Sequence, residues 1–289
     1  MTETVFRPRR SVLYVPAGNA KAMAKIAGLA CDAVVLDLED AVAPEAKAEA
    51  RASLDAFFAN RPAGREIVVR INALSSPHGR DDLAAACRWR PDAILLPKVD
   101  TPRDILEAGD MLDEEDADGI GLWAMIETPR AVLNLGFIAE LGRDHAARLS
   151  CLVAGTNDLL KDTGVKATPD RRYLTVWLMQ MVLAARAGGL DVLDGVSNDF
   201  RDLDTFAREC AEGAAMGFDG KTLIHPAQVE AANAAFSPAP DAMAEASRVV
   251  ETFALPENAG KGVIQIDGRM VERLHLAQAQ RLLARAASA

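Results

Sequence analysis

The run Leu122-Trp123-Ala124-Met125-Ile126-Glu127-Thr128-Pro129 is followed, after an interval long enough for a helix, by Leu152-Val153-Ala154-Gly155-Thr156-Asn157-Asp158-Leu159. Each is an apolar run of strand length that stops at or just before a carboxylate. The intervening segment leaves room for a helix that returns the chain to the same edge of a parallel sheet. Glu127 and Asp158 would then face one another at the carboxyl ends of neighbouring strands. Two such carboxylates form an all-oxygen pair suited to a hard cation such as Mg2+, which takes one or two protein carboxylates and keeps positions open for substrate. Ordinary strand-end acids would give the same pattern, so the rest of the chain decides.

Working outward, the same unit recurs. Apolar runs at Ser11–Val15, Ala33–Leu38, Glu66–Ile71, Ala93–Leu96, Ile120–Ile126, Leu149–Ala154, Leu190–Leu193 and Lys221–Ile224 alternate with Ala-rich helical segments. That alternation is the signature of a βα series and a parallel sheet. Eight strand candidates predict an α/β fold, a closed (β/α)8 TIM barrel over residues 1–236. Helix starts are marked at Pro44 and by Thr101-Pro102-Arg103-Asp104, where a capping residue precedes a proline. Gly188-Gly189 stops an apolar helix over Val176–Ala187, read as a buried barrel helix because it carries Gln180 and Arg186. After His225-Pro226 the pattern changes. A break at Ser237-Pro238-Ala239-Pro240, a helix over Asp241–Phe253, a loop around Gly260-Lys261-Gly262 and a last helix predict a C-terminal helical arm or lid over residues 237–289.

Composition limits what this fold does. The chain has 289 residues, half of them hydrophobic and 26% charged, as in a globular protein with a full core. A net charge of -10 argues against nucleic-acid or anionic-membrane partners, which need a basic face. Cys31, Cys87, Cys151 and Cys210 lack paired spacing and read as reduced thiols rather than a disulfide or zinc framework, and the histidines show no ligand spacing. Met1–Ser11 has no apolar core and no run reaches membrane-spanning length, so a cytoplasmic location is expected.

A barrel carries its active site on the face where its strands end. There the chain offers Tyr14 and Pro16, Asp37, Glu39 and Asp40, Arg70 and Asn72, Lys98, Glu127, Asp158, Asp194, and His225.

The segments Arg10-Ser11-Val12-Leu13-Tyr14-Val15-Pro16, Val35-Leu36-Asp37-Leu38-Glu39-Asp40, Val69-Arg70-Ile71-Asn72, Leu95-Leu96-Pro97-Lys98-Val99, Ile126-Glu127-Thr128, Gly155-Thr156-Asn157-Asp158-Leu159 and Gly217-Phe218-Asp219-Gly220-Lys221-Thr222-Leu223-Ile224-His225-Pro226 resemble those of the citrate lyase β-subunit-like, or HpcH/HpaI aldolase, superfamily. The likeness covers nearly the whole chain. Asn198–Asp202, Glu212–Gly217, Gly260-Lys261-Gly262 and Gly268-Arg269-Met270-Val271 bring it nearest the CoA-ester lyase branch, with its citramalyl-CoA and malyl-CoA lyases.

The resemblance implies Mg2+ held by Glu127 and Asp158, and a 2-hydroxy or 2-oxo acid gripped by the planar fork of Arg70. An Arg paired with a core acid is the plainer reading of Arg70. Glu39 and Asp40 would hydrogen-bond metal waters, or cap the following helix, and Lys98 would orient Glu127 or Glu39. Arg7, Arg9, Arg10, Lys21 and Lys25 against Glu3 form a basic cluster that can attract CoA phosphates. In the resembling lyases the positions of Tyr14, Lys21, Lys25 and the backbone at Thr222-Leu223 contact CoA, and Lys21 and Lys25 stand four apart, hence on one helical face.

The implied reaction is Mg2+-dependent, reversible cleavage of a 2-hydroxyacyl-CoA to a 2-oxo acid and an acetyl-CoA enolate that a general acid protonates. In the family that acid is an Asp in the C-terminal segment, lent to a neighbouring subunit of a trimer. Here Gly268-Arg269-Met270-Val271 is followed by Glu272, one methylene longer. Glu272 serves, Asp267 substitutes, or lyase turnover is impaired; as plain structure Glu272 is a solvated first-turn acid of the last helix. A homo-oligomer, trimer or hexamer, is expected. A citrate lyase β subunit acting on an acyl-carrier-protein thioester, a malyl-CoA thioesterase, a CoA-independent pyruvate aldolase and a non-catalytic CoA-ester binder stand as alternatives.

Overall fold

The computed structural model describes residues 7–287, so Glu3 and the rest of the first six residues lie outside it. Short apolar runs with both faces buried cannot leave an edge exposed, and closure into a barrel removes it. The strands are β1 Ser11–Pro16, β2 Ala33–Asp37, β3 Glu66–Arg70, β4 Ala93–Leu96, β5 Gly121–Ile126, β6 Leu149–Ala154, β7 Asp191–Asp194 and β8 Gly220–Leu223. They pair in parallel in sequence order, and β1 pairs with β8 to close the barrel. Around it run α1 Ala20–Met23, α2 Lys47–Ala59, α3 Gly79–Trp89, α4 Pro102–Glu114, α5 Pro129–Leu133, α6 Leu135–Glu140, α7 Thr156–Thr163, α8 Thr175–Gly188, α9 Leu203–Met216 and α10 Val229–Phe236. The marked helix starts are used as the sequence indicates: Asp104 Oδ2 accepts from the Thr101 backbone N–H at 2.8 Å, and Pro102 opens α4.

Strand side chains alternate between two cores. Val12, Val35, Val68, Leu95, Trp123 and Val153 point into the barrel and fill it. Leu13, Leu36, Val69, Ile94, Leu122 and Leu152 point outward and pack with the helices. This parity decides which strand-end residue reaches the site. At the opposite mouth, Arg9 lies 4.6 Å from the ring centre of Trp123 and pairs with Glu66 and Asp191, the first residues of β3 and β7. Arg10 pairs with Asp32 at 2.7 Å. These two arginines therefore close the bottom of the barrel, correcting their assignment to a phosphate-attracting cluster.

The chain divides into two compact units, Arg9–Phe236 and a second built from Ser237 onward. The second contains α11 Pro240–Ala254, strands β9 Val263–Ile266 and β10 Arg269–Glu272, and α12 Arg273–Ala287. Val249, Phe253, Ile264, Ile266 and Val271 form its core. The loop expected around Gly260-Lys261-Gly262 is present, and between it and the last helix stands the antiparallel β9–β10 hairpin, which the sequence reading does not include. Its turn, Asp267-Gly268, has φ of 50° and 78°, the left-handed pair that a two-residue hairpin turn demands and that Asp-Gly supplies. Glu272 therefore ends a strand and pairs with Val263 instead of starting the last helix. All four cysteines are buried free thiols, and no helix among the described residues is long and apolar enough to cross a membrane.

Candidate functional site

The inward rows end on polar residues at the carboxyl mouth. Val35 is followed two residues on by Asp37, Val68 by Arg70, Met125 by Glu127 and Val12 by Tyr14, so all four share the inward face. Asp37 is buried and fully used. Its Oδ1 accepts from Arg70 Nε at 2.7 Å and its Oδ2 from Arg70 Nη2 at 2.6 Å, while the backbone N–H groups of Glu39 and Ala41 donate to the same carboxylate. One edge of the Arg70 fork is thus committed to a core acid, the plainer of the two readings of this residue. Its Nη1 lies 2.9 Å from Glu39 Oε2 and 3.5 Å from Asp40 Oδ2, and its guanidinium stacks 4.9 Å from the Tyr14 ring centre. Sequence reasoning passed over Asp37 as an anchor, although its parity with Val35 marks it.

Glu127 follows β5 and is 2% exposed. Its Oε1 accepts from the Lys98 backbone N–H at 2.7 Å and lies 3.3 Å from Lys98 Nζ. The same ammonium reaches Asp158 Oδ2 at 2.8 Å. Asp158 lies in the first turn of α7, where the helix N-terminus favours an acid. Gly155 makes the approach possible, since a Cβ there would sit 2.3 Å from Glu127 Cβ. The expected carboxylate pair is therefore assembled, with Lys98 spanning it. A 200 Å³ cavity touches Lys98 and is lined further by Leu74, Arg80, Pro97, Asp104 and Glu107; neither Glu127 nor Asp158 lines it.

Electrostatics separate these acids. Burial pushes the Glu39 carboxyl up to about 8, against the pull of Arg70. Burial likewise pushes Glu127 up to about 7, against the charge and backbone N–H of Lys98. Asp158 feels burial too, but the hydrogen bond and charge of Lys98 outweigh it and hold the group below the usual carboxylate range. Burial raises the Tyr14 phenol, so it stays protonated, and its hydroxyl has no hydrogen-bond partner among the described residues. Among the described residues no group of three or more Cys, His, Asp or Glu gathers as a metal cage. The donor set fits a hard cation that keeps its waters, since two carboxylates suffice for it.

Other strand-end residues do not join. Asp194 follows Leu193, which points inward, so Asp194 points outward. It lies 3.0 Å from Lys221 Nζ and 2.8 Å from Arg171 Nη1, wholly buried. His225 caps a turn and stacks on Phe200 at 4.4 Å, and Asn72 is held by Asp82 at 2.6 Å. Thr222 and Leu223 are buried in β8, paired with Val12 and Leu13, so their side chains are not offered to a ligand; the contact expected of them is through the backbone. Lys21 and Lys25 are exposed; α1 ends at Met23, and Ala24 and Lys25 continue it in helical backbone conformation. Glu272 and Asp267 belong to the second unit.

The comparisons with known proteins agree with one another. Residues 10–226 match the family model described as HpcH/HpaI aldolase/citrate lyase. The chain is 44% identical over 280 residues to a (3S)-malyl-CoA thioesterase of Cereibacter sphaeroides, covering 96% of this chain and 95% of that one. It is 33% identical to the human mitochondrial citramalyl-CoA lyase, covering 97% of this chain and 86% of that one. Among solved structures it resembles the protein CitE from Mycobacterium tuberculosis in complex with magnesium, acetoacetate and coenzyme A, with a TM-score of 0.75, 29% identity and coverage of 97% and 98%. Fold, motif order and these matches converge: the chain belongs to the HpcH/HpaI aldolase/citrate lyase family of enzymes.

Proposed function

We propose that this enzyme acts, with Mg2+, on a malyl-CoA-type 2-hydroxyacyl-CoA and hydrolyses its thioester. The observation that carries the reading is the 44% identity over almost the full length to a malyl-CoA thioesterase. It is supported by Glu272 standing where the lyase pattern has Asp. Glu127 and Asp158 would hold the cation, which supplies positive charge to polarise the acid's oxygens. Arg70, fixed by Asp37, presents Nη1 toward the mouth, and Glu39 beside it, in its ionised form, would take a proton from the water whose oxygen bonds to the thioester carbonyl carbon; the C–S bond then breaks and the CoA thiolate leaves. Asp40, Lys21 and Lys25 are exposed at the same mouth, suited to metal waters and to CoA phosphates respectively.

Carbon–carbon cleavage to acetyl-CoA and a 2-oxo acid is the second reading. It is favoured by the 33% identity to citramalyl-CoA lyase and by a carboxylate pair able to hold a cation against a hydroxyl and a carboxylate. It would need Glu272, from a neighbouring subunit of a homotrimer, to protonate the enolate. Incubation of malyl-CoA and citramalyl-CoA with the purified protein, in Mg2+ and in EDTA, decides. Metal-dependent free CoA with the intact hydroxy acid supports hydrolysis. Acetyl-CoA with glyoxylate or pyruvate replaces it with the lyase, and turnover undiminished in EDTA overturns the metal in both.

A further inference from the structure

Lys98 is used twice. It follows Pro97 with φ of 52°, in the left-handed region that costs a lysine about 1–2 kcal/mol. Such strain persists where surrounding contacts over-determine it, and it collects at functional sites. Here that backbone turns the Lys98 N–H onto Glu127 Oε1 at 2.7 Å, while the side chain returns across the site to Glu127 at 3.3 Å and Asp158 at 2.8 Å. The N–H can keep Glu127 in place whatever cation is present. The ammonium, by contrast, occupies the carboxylate oxygens that a divalent ion would use.

We propose that Lys98 is a tethered counter-cation that competes with the divalent ion for Glu127 and Asp158, lowering its affinity and keeping it exchangeable. This rests on the reading of that pair as the metal carboxylates. Two effects of the ammonium oppose each other. It holds the carboxylates close against their mutual repulsion, which helps a metal enter, and it repels the metal. The first is duplicated by the Lys98 N–H on Glu127 and by the helix N-terminus at Asp158. The second is shared in part by Lys161, whose exposed ammonium lies 3.2 Å from Asp158 Oδ1, but Lys98 is the cation placed on both carboxylates. An ammonium about 4 Å from a dication weakens binding more than about tenfold even at the dielectric constant of water. Competition therefore outweighs positioning.

The test is titration of the full-length chain with MgCl2 by calorimetry and with Mn2+ by electron paramagnetic resonance, on wild type, Lys98→Met, Lys98→Gln and Lys98→Arg. Lys98→Met and Lys98→Gln should bind either ion at least about tenfold more tightly and release Mn2+ more slowly, because each removes the charge and keeps the backbone donor. Lys98→Arg, which keeps the charge, should stay within about threefold of wild type. If a neutral variant melts like wild type and binds equally or more weakly, the competition is refuted and Lys98 only positions the carboxylates. If wild type itself binds neither ion, the metal reading of the pair fails and takes this inference with it.

Discussion

Glu127 and Asp194 come from the same kind of sequence, an apolar strand ending in an acid, and from neighbouring parts of one barrel. Glu127 continues an inward row through Trp123 and Met125 and meets Asp158 across a single shared ammonium. Asp194 follows the inward Leu193, turns outward, and meets two cations, Lys221 and Arg171, with Glu209 and Glu212 completing the cluster. At the first end the two carboxylates meet cations that remain partly or largely exposed, Lys98 on both and Lys161 on Asp158 alone; at the second, three carboxylates close around Lys221 and Arg171, with Lys221 and Asp194 wholly buried. One residue of register separates a site that attracts a cation from a clamp that holds a helix to the barrel.

The largest expected effect comes from opening the clamp. Lys221 is fully buried, with its ammonium on Asp194, on Glu209 at 2.6 Å and on the Gly195 carbonyl. Lys221→Met should cost roughly 3–5 kcal/mol of stability, because uncompensated buried carboxylates remain. Urea unfolding would measure it, and Mg2+ affinity of the folded fraction should hold. A loss below about 1 kcal/mol would mean that Arg171 alone balances the cluster.

The opposite pattern is expected at the other end. Glu127→Gln should lower kcat by about a hundredfold or more, through loss of a metal carboxylate. Its melting temperature should stay or rise, since a buried carboxyl pushed up to about 7 is replaced by a neutral amide that still accepts from the Lys98 N–H. Activity within tenfold of wild type would break the contrast between the two ends.

Much of this contrast was open to reading beforehand. The eight strands fall within a residue or two of the apolar runs that mark them, because a barrel strand buried on both faces has to be apolar throughout. Parity was equally present: counting in twos from Val35 reaches Asp37, and from Leu193 it bypasses Asp194. The Asp267-Gly268 turn between alternating runs is a hairpin signal of the same local kind, left out of the reading of the C-terminal arm. Three features were not local. Arg9 crosses the barrel floor to residues that begin β3 and β7, Arg171 reaches Asp194 from a loop, and Lys98 reaches Asp158 because of a backbone conformation that neither composition nor spacing encodes.

pH should separate the two ends by a smaller amount. Glu39 and Glu127 are held above the ordinary carboxyl range, up to about 8 and about 7, so the folded chain keeps protons that the unfolded chain has lost. Stability in EDTA should therefore fall as pH rises from about 5 to about 8, on the order of 1 kcal/mol per pH unit for each group until its folded value is passed. Asp194 is held low by Lys221 and Arg171 despite its burial, so its contribution is constant in that window and is lost only in acid, as pH drops through its folded value. Glu39→Gln should flatten the neutral slope in thermal melts. A slope unchanged in Glu39→Gln and Glu127→Gln alike would assign the pH response elsewhere.

The smallest effect tests the packing that each acid tolerates. Gly155 and Gly213 both lie against one of these acids, but the contacts differ in kind. A Cβ at Gly155 would meet Glu127 Cβ at 2.3 Å and Glu127 Cα at 3.2 Å, atoms fixed by the backbone; at Gly213 it would meet Asp194 Oδ2 at 2.9 Å and Phe236 Cζ at 3.4 Å, a carboxylate tip and a ring edge. Gly213 lies inside α9, where alanine is favoured over glycine by about 1 kcal/mol. Gly213→Ala thus sets a helical gain against a few tenths of an ångström of displacement in a carboxylate held by two cations, and the net change should stay within about 1 kcal/mol by urea unfolding. A much larger loss would show that the Asp194 carboxylate cannot move at all, and that the clamp, for all its charge, is set first by the distance at which α9 packs.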